Sequence, residues 1–257
     1  MLLVLPDSLI GRDEEFVRQS ITERLPAILI SVISKHTLTS AQQQRIQHIA
    51  DELAAETFVV ENIDASDGGS DWSSYGETGK NALDVGWFFF ENYLYRLLLR
   101  ETEYFSNRLD PFRTHKLEAL SVGINGLALP EKNTFRAFIE AALWGNRADL
   151  SISAGKVQSA FGKNQHLLVD HDCVLPACGV ITYILDNCGA ELLNDLLLVH
   201  FLLMSDLVVH LHSKSAPVFV SDAIVNDVYE HIDTISSKFP IIGLKLREAL
   251  SSGKLIM

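Results

Sequence analysis

From Phe16 to about Ile152 the apolar positions recur at helical spacing. Leu25, Ile28, Leu29, Val32 and Ile33 step by three and four, as do Ile46, Ile49, Ala50 and Leu53, which predicts successive amphipathic helices. Gly86 to Tyr104 is apolar on nearly every side, the pattern of a helix buried among others. Between these runs, Asp64 to Lys80 is rich in Gly, Ser and Asp and reads as a loop, either a lid or an exposed connection. After about residue 165 the pattern changes to short β-branched runs, each leading through a polar turn to a helical run. Val180–Leu185 and Leu207–His212 are predicted strands, with Val218–Val220 as a third; Ala190–Met204 and Ile224–Ile235 are predicted helices.

Alternation of strand and helix implies parallel βαβ units. The expected fold is therefore α/β, with an all-helical region over residues 1–160 and the beginning of a parallel-sheet domain over residues 161–257. The longest apolar stretch, Leu192 to Met204, is interrupted by Asn194, Asp195 and His200 and is shorter than the roughly 20 residues of a spanning helix, so no membrane role is expected.

Composition narrows the function. With 257 residues, 47% hydrophobic and 21% charged, the chain can bury a core. Its net charge of −12 argues against a nucleic-acid partner, because non-specific affinity for polyanions rests on basic residues displacing counterions. An acidic protein that handles a phosphorylated ligand needs a local device, and a bound cation is one. Cys173, Cys178 and Cys188 form neither a C-x-x-C pair nor an even set, which points to a reducing compartment. The N-terminus lacks the cationic start of a secretory signal, and a cytoplasmic protein is expected, the nucleus being the other compartment open to it.

Open parallel sheets carry their ligands beyond the carboxyl ends of the strands. Two predicted strands lead to acids there: Asp186 and Asn187, followed by Gly189 and Glu191, and then Asp222. Oxygen ligands without His or Cys suit a hard divalent ion such as Mg²⁺ or Mn²⁺. The same residue types also cap helices, and on pattern alone capping is the commoner use. The nine histidines form no H-E-x-x-H pair, and His210 and His212 project to one face of a strand; they read as ordinary buried or surface side chains. No G-x-G-x-x-G, Walker A or G-x-S-x-G pattern occurs.

Five ordered blocks add a family. Thr22 to Leu29 (TERLPAIL) looks like a T-x-x-R-L-P-x-I-L opening, Glu91 to Arg96 reads as an aromatic helix ending Y-R, and Leu143 to Ser151 reads L-W-G-N-x-x-D-L-S. Asp186 to Leu196 reads D-N-x-G-x-E-L-x-x-D-L, with Phe201-Leu202 following, and Lys214 to Asp222 reads K-x-x-P-x-F-V-S-D. From about residue 20 to residue 235 the chain resembles the damage-control phosphatases, in the acidic-residue-methyltransferase-like branch. The resemblance implies a helical N-terminal region packed on a Rossmann-like α/β/α domain. It implies a divalent metal on Asp186, Asn187 and Asp222, with Mn²⁺ or Mg²⁺ first and Co²⁺ or Ni²⁺ as further ions. Asp186 and Asp222 would be catalytic, and Asp186, Asn187 and Lys214 would meet a small phosphorylated metabolite such as fructose 1-phosphate. An alternative activity comes with it, S-adenosylmethionine-dependent carboxyl (glutamate) methylation, with Arg24, Glu191 and Asp222 at the cofactor. Cys188 stands where the branch has a small residue. The branch's later K-G-D-x-N-Y-R-K and R-T-x-K segments are not found before Met257; Arg113 to Lys116 spells R-T-x-K on the helical side and is read as coincidence. An inactive, unstable fragment or a binding module is accordingly a third reading.

Overall fold

The computed structural model describes residues 9–145, Leu175 and 178–257. Over these residues the protein is α/β, with many helices and a three-stranded parallel sheet. The chain divides into two compact units, Met1–Thr114 and His115–Met257. The boundary expected at residues 160 and 161 falls among residues that are not described, and the helices Arg113–Gly126 and Phe135–Gly145, expected in the helical region, group with the sheet.

In the first unit α1 (Glu15–Gln19) runs through a π-helical turn (Ser20–Arg24) into α2 (Leu25–Lys35). The widened turn coincides with Pro26, which has no N–H to give to the carbonyl four residues back. Helix α3 (Ser40–Ala54) opens on a reciprocal cap, Gln42 N–H donating to Thr39 Oγ1 and Thr39 N–H to Gln42 Oε1. Helix α4 (Trp87–Glu101) and the short α5 (Tyr104–Asn107) complete the set. The predicted helical stripes are the buried ones: Leu25, Leu29 and Val32 of α2, and Ile46, Ile49, Ala50 and Leu53 of α3.

The loop from Asp64 to Lys80 is an anchored connection. Buried Arg96 of α4 grips Asp67 through two bonds of 2.6 and 2.9 Å and donates to the Ser70 and Asp64 carbonyls. Trp72 then packs against Phe89 and Tyr75 at ring distances of 5.4 and 5.1 Å.

The second unit comprises α6 (Arg113–Gly126, its first two residues in the first unit), α7 (Phe135–Gly145), β1 (Cys178–Ile184), α8 (Ala190–Leu203), β2 (Asp206–His212), α9 (Val225–Lys238), α10 (Pro240–Ser252) and β3 (Leu255–Ile256). Its core is α8, enclosed through Leu192, Leu193, Leu196, Leu197 and Val199, with Phe201 stacked on Phe138 of α7 at 4.8 Å. The sheet order is β1-β2-β3, all parallel, with Val180 opposite Val208 and Val209 opposite Leu255. One face carries Leu207, Val209, Leu211 and Leu255 into the core. Among the described residues nothing buries the other face, where Val180 is 61% and Ile184 76% exposed, although parallel sheets are ordinarily covered on both.

Val218–Val220 is not a strand. The chain there is folded into tight turns, Val218 N–H donating to the Ala216 carbonyl and Asp222 N–H to the Phe219 carbonyl, so it cannot join a ladder. The third strand is instead Leu255–Ile256, too short to show a period of two.

Candidate functional site

The β1–β2 ladder is prolonged by Leu185 N–H donating to the His212 carbonyl, which sets Asp186 and Asn187 just past the carboxyl end of β1. A short antiparallel bridge, Asn187 to Asp222, then brings the second acid alongside. It is closed by Ala223 N–H on the Asp186 carbonyl (2.8 Å) and Cys188 N–H on the Ser221 carbonyl (2.7 Å). Lys214 joins from the same loop, its N–H donating to the Ala223 carbonyl and its ammonium lying 3.2 Å from Asp186 Oδ1. Thus Asp186, Asn187, Asp222 and Lys214 meet at one strand end, held by backbone pairing between the β1–α8 turn and the β2–α9 loop.

The turn closes on Gly189, whose φ of 81° and ψ of −135° lie in a region open to glycine and strained for other residues. Helix α8 starts directly after it, and Gly123 of α6 lets that start come close, since a Cβ there would lie 2.8 Å from the Ala190 nitrogen.

Asn187 has a defined orientation. Its amide nitrogen faces Asp186 Oδ2 at 3.2 Å and Glu191 Oε2 at 3.0 Å, two acceptors that only a donor satisfies, while Oδ1 accepts from the Ser221 hydroxyl at 2.6 Å. A carbonyl oxygen has two lone pairs, so Oδ1 retains one for another partner. Asp222 is 3% exposed and receives Phe219 N–H at 3.1 Å. Burial pushes its carboxyl above the ordinary carboxylate value; nearby Asp186 adds to this, while the Phe219 N–H, Lys214 and Lys116 oppose it. Asp186 is open, with 57% of its side chain exposed.

This donor set fits a hard divalent cation. One buried and one open carboxylate lie near an amide oxygen, and of the two lysines that act on Asp222, Lys116 is itself paired with Asp227. Among the described residues no group of three or more His, Cys, Asp or Glu side chains is placed to hold a metal, so any ion here would rest on the two carboxylates, the Asn187 amide and water.

Of the other residues singled out from sequence, Glu191 reaches the site through Asn187. Arg24 belongs to the first unit, where its guanidinium pairs with Glu91 and lies 5.5 Å over the Trp87 ring. Asn146 and Asp149 lie outside the described residues, as do Cys173, His166 and His171. Among the described residues Cys178 and Cys188 form no disulfide. Among the described residues no helix is long and apolar enough to cross a membrane.

Five further polar residues carry no functional assignment from the sequence. Ser221 sets the Asn187 orientation; its signal was its place beside Asp222 in the V-S-D block. Asp195, one turn after Glu191, accepts the Tyr183 hydroxyl at 2.7 Å, and burial pushes its carboxyl up to about 7. Glu191 and Asp195 line a cavity of about 450 Å³ whose other walls include Phe135, Ile139, Ile181 and Leu198. Finally, buried Lys116 pairs with buried Asp227 at 2.9 Å, and His231 accepts from Gly189 N–H. Asp227 and His231 stand four apart on α9, the one pattern in the sequence that placed them on one face.

A parallel sheet with acids, an amide and a lysine gathered at its strand ends is an α/β arrangement of the kind that carries a ligand site there. The damage-control phosphatase ARMT1-like domain matches residues 20–257, and the chain belongs to that family. It is 26% identical to the damage-control phosphatase ARMT1 of Danio rerio over 293 residues, covering 86% of this chain and 65% of that protein. It is 25% identical to the Mus musculus protein of that name over 300 residues (88% and 68%) and 26% identical to the Homo sapiens one over 300 (88% and 67%). The chain thus spans about two thirds of the length of these relatives. The aligned lengths exceed the 257 residues of the chain, so the relatives contain internal segments that it lacks.

Proposed function

We propose that the protein is a metal-dependent phosphatase of small phosphorylated metabolites, with sugar phosphates of the fructose 1-phosphate type as the substrate class, acting in the cytoplasm or nucleus. The observation that carries this reading is the convergence of Asp186, Asn187, Asp222 and Lys214 at one strand end, together with family membership.

In this reading Asp222 is the fixed carboxylate, held by the Phe219 N–H, and Asp186 is the open one that reaches toward substrate. The Asn187 oxygen is aimed by Ser221 on one side and by the two carboxylates at its nitrogen on the other. Lys214 is 37% exposed and provides a mobile positive charge that can leave Asp186 for a phosphate oxygen. Asp186, Asp222 and the Asn187 oxygen would hold a divalent cation, which would supply neutralisation of phosphoryl charge and a polarised water. What remains for the protein is positioning, which is the main requirement of phosphoryl transfer.

The test is phosphate release from fructose 1-phosphate by the 257-residue chain, stripped of metal and titrated with Mn²⁺ or Mg²⁺. Turnover should appear with metal, vanish in EDTA and fall by about a hundredfold or more in Asp186→Ala. Undiminished turnover in EDTA or in that variant rejects the mechanism. Methyl transfer from S-adenosylmethionine to a glutamate carboxyl, without phosphate release, would support the methyltransferase alternative.

A further inference from the structure

The turn that carries Asp186 and Asn187 is tied on one side by backbone bonds to Ser221 and Ala223. On its other side, at Gly189, the partner is a side chain. Gly189 N–H donates to His231 Nε2 at 2.9 Å, and His231 is 1% exposed. The other ring nitrogen, Nδ1, lies 2.7 Å from the Asp227 carbonyl oxygen. A carbonyl only accepts, so Nδ1 carries the proton and Nε2 is left as the acceptor that Gly189 needs. Asp227, one turn back on α9, is fixed in its turn: its Oδ2 receives both the Lys116 ammonium of α6 and Ile224 N–H, each at 2.9 Å.

The Asp227 carbonyl and the enclosed His231 ring of α9 therefore lead to one amide proton, with the Asp227 side chain anchored to Lys116 of α6. That amide is a donor at the start of α8, where the helix offers its first N–H groups no carbonyl. Gly189 also holds a conformation that only glycine occupies freely, which the turn keeps only while its surroundings enforce it.

We infer that His231 is a positioning residue: locked as the Nδ1–H tautomer by the Asp227 carbonyl, it latches Gly189 and thereby sets the geometry of Asp186 and Asn187. The inference rests on the proposed site for its consequence in ligand binding, and on the Gly189 contact alone for the latch. Burial holds the imidazole pKa down, at about 4, against the opposing influence of Asp227 and Glu230, while Lys116 lowers it further; the ring stays neutral at physiological pH. The latch is thus a permanent one.

The experiment compares the full chain with His231→Leu, His231→Gln and the control Ile235→Ala, which truncates another buried side chain of α9. Gln keeps an acceptor for Gly189. In metal-free protein, exchange of the Gly189 amide, normalised to global opening, should be about 10-fold faster or more in His231→Leu, as expected for loss of a protecting hydrogen bond, and near wild type in His231→Gln and Ile235→Ala. Mn²⁺ affinity, read by titration calorimetry, should fall about 10- to 100-fold in His231→Leu, the usual effect of losing a partner behind a ligand, with recovery in His231→Gln. Unchanged normalised exchange at Gly189 in His231→Leu overturns the latch. Wild-type protein that binds no Mn²⁺ overturns the metal reading instead, and the exchange comparison still decides the latch. Should His231→Leu not fold, ¹⁵N shifts of the wild-type ring decide: an Nε2–H tautomer overturns the inference, and an Nδ1–H tautomer with no titration between pH 5 and 8 upholds it.

Discussion

The Tyr183 hydroxyl donates to Asp195 Oδ1 at 2.7 Å, joining β1 to the first half of α8 just behind the turn that carries Asp186 and Asn187. Burial is the main reason that the Asp195 carboxyl titrates near 7, and Glu191 and Asp186 add to it, while the Tyr183 hydroxyl opposes them. A carboxyl raised in the folded state binds a proton that the unfolded chain has released, so between about pH 4 and pH 7 stability falls as pH rises. The expected slope approaches about 1.4 kcal/mol per pH unit at most. Asp195→Asn, which cannot ionise, should flatten it. Urea denaturation of both metal-free proteins from pH 4.5 to 8 checks this: buried His231, held near 4, adds a slope of opposite sign to both, so the stability of wild type relative to Asp195→Asn should fall as pH rises, and a difference that stays level refutes the claim.

The Lys116–Asp227 pair should matter more to stability than the exposed ion pairs. Both side chains are nearly fully enclosed, so Lys116→Met leaves an unpaired buried carboxylate. Loss of one partner of a buried pair costs about 3–5 kcal/mol. By contrast, Lys245→Ala breaks an exposed pair with Glu248 and should cost no more than about 1 kcal/mol. Equal losses in the two variants would show that the buried pair is not specially coupled.

Gly123→Ala should impair the approach of α6 to α8. The added Cβ would meet the Ala190 backbone nitrogen at 2.8 Å, and backbone cannot swing aside as a side chain can. Overpacking of this kind costs about 1–3 kcal/mol. A lowered thermal midpoint is expected; an unchanged or raised one would mean that the helices separate at no cost.

Lys214→Met should separate binding from chemistry. The lysine pairs with Asp186 while remaining partly exposed, and its proposed task is to meet a phosphate oxygen. KM for the phosphorylated substrate should rise by about tenfold, with a smaller change in kcat, as for a contact made in ground and transition states alike. A fall in kcat with KM unchanged would move Lys214 into the chemical step.

The loop grip of Arg96 gives a proteolytic prediction. Asp67→Asn keeps the shape but removes the charge from a bidentate pair with a buried guanidinium. Cleavage between Asp64 and Lys80 should accelerate while the rest of the first unit stays protected. Cleavage at the wild-type rate would show that Trp72 and the carbonyl contacts suffice.

Much of this protein is legible from its chain. The helical stripes of α2 and α3, the strands β1 and β2 and the core helix α8 all appear where their periodicities place them, because each depends on local patterning that burial then satisfies. The acids past β1 were also legible, since strand ends in parallel sheets are where ligands gather. Partnership across distant segments was not. Val218–Val220 has the composition of a strand, yet its backbone is spent on tight turns that deliver Asp222 to Asn187. Leu255–Ile256 has too few residues for a pattern and becomes a strand only because β2 offers a free edge. Lys116 stood out only as the end of a chance R-T-x-K match, and His231 as an ordinary histidine. Packing of α6 and α9 around the Gly189 turn encloses them, and in that low-dielectric setting each polar atom must find a partner, which is information that only the assembled structure holds.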